Sequence, residues 1–149
     1  MLTVRSNAHF QRLGIELYPF SVRDANQVIA ALESAASEGL DGIVVISDIF
    51  ISRYRAQIVE LVAKSGLPTI SGDPEYAAAG GLMSYGPNRV DMYRRAATFV
   101  DKILKGAKPA DLPVERPMVF NFVVNLKTAQ ALGITFPNEI MLQVTEVLQ

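Results

Sequence analysis

Apolar residues along this chain follow two alternating rhythms: short unbroken runs, and stripes recurring every three or four positions. The runs are GIELYPF (14–20), DGIVVISD (41–48), LPTIS (67–71), GGLMSYG (80–86) and MVFNFVVNL (118–126). Runs of this length bounded by turn residues predict strands. The 41–48 run, apolar on both sides, predicts a strand of a parallel sheet covered on both faces. Between the runs lie the stripes. In SVRDANQVIAALESAASEG, Val28, Ala31, Leu32 and Ala35 share one helical face, Ser21 and Asp24 have capping-box spacing, and Gly39 is a natural stop. Ile51, Tyr54, Ile58, Leu61 and Val62 mark a second helix ending at Gly66.

A longer helix follows Pro87, with Asn88 as N-cap, Asp91 at the positive end and Lys102 and Lys105 at the negative end. Its apolar arc is unusually wide. Met92, Ala96, Phe99 and Ile103 make one row, and Tyr93, Ala97, Val100 and Leu104 the next. An arc that wide predicts cover from more than one direction. KGAKPADLPVERP (105–117) reads as an extended connector, because each proline restricts itself and its predecessor. A short helix at 127–132 stops at Gly133, and Pro137 with Asn138 opens a terminal helix carrying Ile140, Val144 and Leu148. Strands alternating with helices through short connections predict an α/β fold: a mainly parallel sheet flanked by helices.

Composition then narrows the function. The 149 residues suffice for one domain with a real core; half are hydrophobic and 19% charged, as in globular proteins. A net charge of −1 supplies no general pull toward nucleic acid or anionic membrane. With no cysteine there are no disulfides or thiolate metal sites. The opening residues lack the h-region and cleavage site of a signal peptide, and no apolar run is long enough to cross a bilayer.

Little in the sequence supports catalysis. Ser84 precedes Gly86, but a nucleophile elbow also needs glycine at position 82, which is Leu82. The one histidine, His9, stands on the wrong side of it for the usual Ser–Asp–His order. Neither a metal-ligand cluster nor a phosphate-cradling glycine motif is present, so no cofactor is expected. The remaining candidates stand at the carboxyl ends of strands, where open α/β sheets form a binding crevice. They are Ser47 and Asp48, Asp73 after Ser71 and Gly72, and Ser84 with Tyr85, a set suited to a small polar or amphipathic solute. Each has a plainer structural role open to it: Asp48 as a helix cap, Asp73 in a turn, Ser84 as a small residue in a tight crossover, Tyr85 in the core.

AGGLMSYGPN, then YRRAATFVDKILKGAKPADLPVERP, then FNFVVNLKTAQALGITFP together carry a resemblance. They are similar to the C-terminal half of ABC-transporter substrate-binding proteins of the type I periplasmic-binding fold, the family of the tryptophan- and tyrosine-type binding lipoproteins. The resemblance implies one lobe of a two-lobed protein that holds a solute in its cleft and delivers it to an ABC permease. The N-terminal lobe, the leader segment and the first strand of the C-terminal lobe have no counterpart in this sequence. It implies a periplasmic setting, although the chain as given, without a signal peptide, would stay cytoplasmic. GGLMSYG would cross between lobes, with Gly80, Gly81 and Gly86 as hinge, and the following helix would pack on the other lobe. Without that lobe, the helix from Asn88 to Leu104 is expected to mediate a homodimer. The expected function is non-catalytic binding of an amino acid or aromatic compound, or else that of a stand-alone dimeric cytoplasmic sensor or interaction module.

Overall fold

The computed structural model describes residues 7–149. Five strands form one sheet in simple chain order: β1 (Ile43–Val45), β2 (Thr69–Ser71), β3 (Met83–Pro87), β4 (Phe120–Asn125) and β5 (Glu146–Leu148). β1, β2 and β3 run parallel, β4 returns antiparallel to β3, and β5 runs parallel to β4. The helices are α1 (Asn7–Arg12), α2 (Ala25–Ser37), α3 (Ile49–Arg53), α4 (Arg55–Ser65), α5 (Glu75–Ala78), α6 (Arg89–Leu104), α7 (Leu126–Ala131) and α8 (Asn138–Met141). This is the mainly parallel α/β architecture expected from the alternating pattern.

The two faces of the sheet are unequal. Register places Val45, Ser71, Ser84 and Val123 in one row, and all four are buried. Above that face Val28 and Leu32 of α2, Ile51 of α3, Ile58, Val59 and Val62 of α4 and Tyr76 of α5 close the core around Val45. The opposite row is Val44, Ile70, Met83 and Val124. Val124 is buried there, but Val44 is 65% exposed at the sheet edge and Ile46 beyond it is exposed as well. The expectation that 41–48 is covered on both faces is therefore corrected: toward β1 one face of the sheet is open.

Other boundaries shift for local reasons. Residues 15–22 form no strand, because no neighbouring strand offers them a ladder. The cap of α2 is Asp24, whose Oδ1 accepts from the Gln27 amide at 2.9 Å, three residues on from the Ser21–Asp24 frame. The second predicted helix breaks at Tyr54 into α3 and α4, and Gly66, at φ +70°, ends α4 in the left-handed conformation glycine favours. The turn at Asp73–Pro74 leads into the short α5, which the sequence reading did not include. The predicted C-terminal helix stops at Met141, and Glu146–Leu148 joins the sheet beside β4.

The longest helix stands apart. α6 is capped as expected, with Asn88 Oδ1 accepting from the Asp91 amide at 2.9 Å, yet none of its residues is buried. It has no substantial packing partner among the other helices and strands. Its first turn is tied to the sheet by the Asn88 amide, 2.9 Å from the Val119 carbonyl, and by Asn88 Nδ2, 3.0 Å from Asn121 Oδ1. Farther along, Arg95 pairs with Glu115 of the returning connector. The excursion from β3 through α6 and back to β4 is thus an arm leaving the sheet at Pro87.

Candidate functional site

Because β1, β2 and β3 are parallel, their carboxyl ends meet along one edge. A cavity of about 310 Å³ opens there, lined by Val44, Ile46, Ile70 and Tyr85 with Ser47 and the Ser71–Gly72 turn. A volume of this order suits a small molecule, and apolar walls with a few polar groups are usual for such sites. The cavity lies toward the open face of the sheet and brings together two predicted residues, Ser47 and Tyr85.

Alternation along the strands sets Tyr85. In β3, Ser84 and Gly86 point to the covered face, whereas Tyr85 pairs across the ladder with Phe122 on the open one. Its ring stacks on Phe120 at 5.5 Å with 12° between planes, and meets Phe122 edge-on at 5.8 Å. Such contacts fix an aromatic ring beyond what area burial does. Tyr85 nevertheless stays 52% exposed, so part of the ring is free to meet a ligand.

The other predicted side chains are engaged elsewhere. Asp48 Oδ1 accepts from the Ile51 amide at 2.7 Å and caps α3. Ser84 is fully buried, and its hydroxyl donates to the Pro74 carbonyl at 3.3 Å. The side chain of His9, weighed beside it in the sequence, lies outside the described residues. Asp73 is only 1% exposed and sits under two arginines: Arg55 reaches Asp73 Oδ2 at 2.7 and 2.9 Å, and Arg89 approaches Oδ1 at 3.4 Å. Oδ1 also accepts from the Glu75 amide at 3.2 Å, and the Arg55 guanidinium reaches Glu75 at 2.7 Å. Burial alone would lower the Arg55 pKa; the hydrogen bond and charge of Asp73, with Glu75, reverse this and hold it above its usual value.

Arg55 and Arg89 escaped the sequence reading, although a signal existed. Each opens a helix, α4 and α6, at the positive end where a cation is disfavoured and therefore needs a carboxylate. Asp73 serves both and so bolts the first turn of α6 to the body of the domain. Phe120 and Phe122 were missed for another reason: only strand register brings them beside Tyr85.

The glycines proposed as hinge occupy different places. Gly80 and Gly81 precede β3, at the edge opposite the cavity, and Gly86 lies at the exit toward α6. Gly80 has φ +106°, which favours glycine. At Gly81 an added Cβ would stand 2.2 Å from the Tyr76 ring, and at Gly86 2.3 Å from the Gly72 carbonyl oxygen. Close approach of neighbours is what demands glycine at these last two positions.

Among the described residues no group of His, Cys, Asp and Glu could hold a metal ion, and no helix is long and apolar enough to cross a membrane.

Comparison with known proteins places this geometry. The profile of the ABC transporter substrate binding protein family matches residues 5–148, and the chain belongs to that family. Among solved structures, it is similar to an ABC domain in complex with L-Trp from Streptococcus pneumonia, at TM-score 0.84 and 28% identity over 95% of this chain and 48% of that one. A conserved domain protein from Vibrio cholerae superposes at TM-score 0.82 with 22% identity, covering 93% of this chain and 46% of that one. A ligand-free, open substrate binding protein with adhesive properties from Clostridium difficile gives TM-score 0.67 and 20% identity, over 95% of this chain and 47% of that one. The last two show likeness of fold alone. This chain thus spans about half the length of the solved structures it matches. No curated protein is similar enough to match.

Proposed function

We propose that this chain is a solute-binding domain of an ABC importer. It would take a small amphipathic molecule, an amino acid or aromatic compound, at the carboxyl edge of its sheet without transforming it. The single observation that carries this reading is the cavity of about 310 Å³ in which an aromatic ring, aliphatic walls and Ser47 converge. Tyr85 would stack on the planar or apolar part of the solute, and the Ser47 hydroxyl with the Gly72 backbone would meet its polar part. Asp73 supports the edge through Arg55 and Arg89, and Asp48 and Ser84 keep its loops in place. Family membership and the likeness to a domain with bound L-Trp support this class of ligand. Delivery to a membrane permease, an extracytoplasmic setting and movement about Gly80, Gly81 and Gly86 belong to the same proposal. The uncovered face of α6 favours a second form of it, a stand-alone dimeric ligand-sensing module.

L-tryptophan is a convenient probe because the chain contains no tryptophan, so all indole fluorescence comes from the ligand. Binding at micromolar to millimolar concentration should shift and polarise that emission. Tyr85→Ala should weaken it about tenfold or more, the loss of one stacked ring, with the fold intact. Absence of binding by L-tryptophan, L-tyrosine and a panel of other amino acids would refute the reading.

A further inference from the structure

Asp73 and its two arginines stand at the same carboxyl edge as the cavity without lining it. Asp73 follows Gly72, which lines the cavity, and Arg89 lies four residues beyond Tyr85, which also lines it. Where β3 ends the two segments touch, so closely that a Cβ at Gly86 would meet the Gly72 carbonyl oxygen. Arg89 therefore stands at the rim, where both segments leave the cavity.

The two arginines are held differently. The Arg55 side chain is 19% exposed and fully engaged, with two hydrogen bonds to Asp73 Oδ2 and an ion pair to Glu75. Arg89 is 49% exposed, and its one polar contact among the described residues is to Asp73 Oδ1 at 3.4 Å. That is well beyond the length of a strong charge-assisted bond. Asp73 is fixed, because Arg55 holds Oδ2 while Oδ1 accepts from the Glu75 amide. A fixed carboxylate thus presents one oxygen to a guanidinium that keeps most of its five N–H donors free.

We propose that Arg89 binds the carboxylate of the solute and makes this edge selective for acids. The inference deepens the solute-binding reading and rests on it. No residue lining the cavity is charged. An anionic group enclosed there among neutral partners would be strongly disfavoured, so the acid end of a solute belongs at the rim, facing a cation. Arg55 is already committed, whereas Arg89 offers the planar fork that meets a carboxylate through two parallel hydrogen bonds. The ligand class is then a monocarboxylate with an apolar or aromatic body: the body lies on Tyr85 and the acid turns toward the first turn of α6.

The test compares L-tryptophan with L-tryptophanamide on the whole chain at about pH 6, where both amines are protonated and the carboxylate is the difference. Ligand indole emission reports both, since the chain contains no tryptophan. The wild type should bind the acid about tenfold or more tightly than the amide. Arg89→Gln should weaken the acid about tenfold and leave the amide within about twofold. Arg89→Lys keeps the charge but loses the fork, and should fall between them. Circular dichroism confirms that each variant is folded, and the wild-type comparison needs no variant at all. Equal affinity of the wild type for acid and amide would overturn the proposal. So would an Arg89→Gln chain that loses both ligands equally, the result of a purely structural tie to Asp73. Binding of neither ligand by the wild type would instead refute the solute reading, and this inference with it.

Discussion

α4 and α6 make an instructive pair. Both are amphipathic helices that follow a parallel strand or a short turn, and both open on an arginine bound to Asp73. α4 buries Ile58, Val59 and Val62 against the sheet and α2, whereas α6, five residues longer, buries nothing. At about 25 cal/mol per Å² of apolar surface, a helix that leaves a few hundred Å² wet forgoes several kcal/mol, a sizeable share of a domain's net stability. An apolar stripe thus says that a helix needs a cover; it does not say that the same chain supplies it. The same asymmetry divides the sheet, whose helix-covered face holds the core while the other keeps Tyr85 and Val44 accessible.

The contrast breaks most sharply at the glycine where the arm leaves the sheet. Gly86→Ala drives a methyl into the Gly72 backbone oxygen, and should cost about 3 kcal/mol or more, or prevent folding, in a denaturant titration. Next comes a matched pair of truncations. Ile58→Ala in α4 should lower unfolding free energy by about 2–5 kcal/mol, a fall in melting temperature of roughly 2–4 °C for each kcal/mol in a chain of this size. Val100→Ala in α6 should stay within about 0.5 kcal/mol in dilute solution. Equal losses from the two would mean that α6 is packed within its own domain.

A smaller effect follows pH. Burial raises the pKa of the Tyr76 phenol, although its hydrogen bond to Thr69 Oγ1 at 3.1 Å opposes this. The folded state therefore holds this proton more tightly than the unfolded one. The stability tied to it is present below the ordinary tyrosine value of about 10 and declines as pH rises above it toward the folded value. Chemical denaturation across the alkaline range should show this decline in the wild type and a shallower one in Tyr76→Phe.

How much of this was legible in the sequence depended on whether the signal was local. The caps and stops of α6, α4 and α7 rest on Asn88, Gly66 and Gly133, each acting within a turn of its own position. The position and length of the arm were readable for that reason. What failed was non-local. The 14–20 run has the composition of a strand but no neighbour to bond, and Glu146–Leu148 became a strand because β4 offered it an edge. At the candidate site, Ser47 and Tyr85 were visible as polar and aromatic residues at strand ends. That Asp73 belongs to two arginines depends on where α4 and α6 begin in space, eighteen residues before it and sixteen after.

The central claim is that no other helix or strand among the described residues covers the apolar face of α6. Amide hydrogen exchange over residues 90–104, followed on the whole chain in dilute solution, tests it most directly. The account predicts rapid exchange in α6 while α4, β2 and β3 stay protected in the same dilute sample. Protection of α6 equal to that of α4 would contradict it.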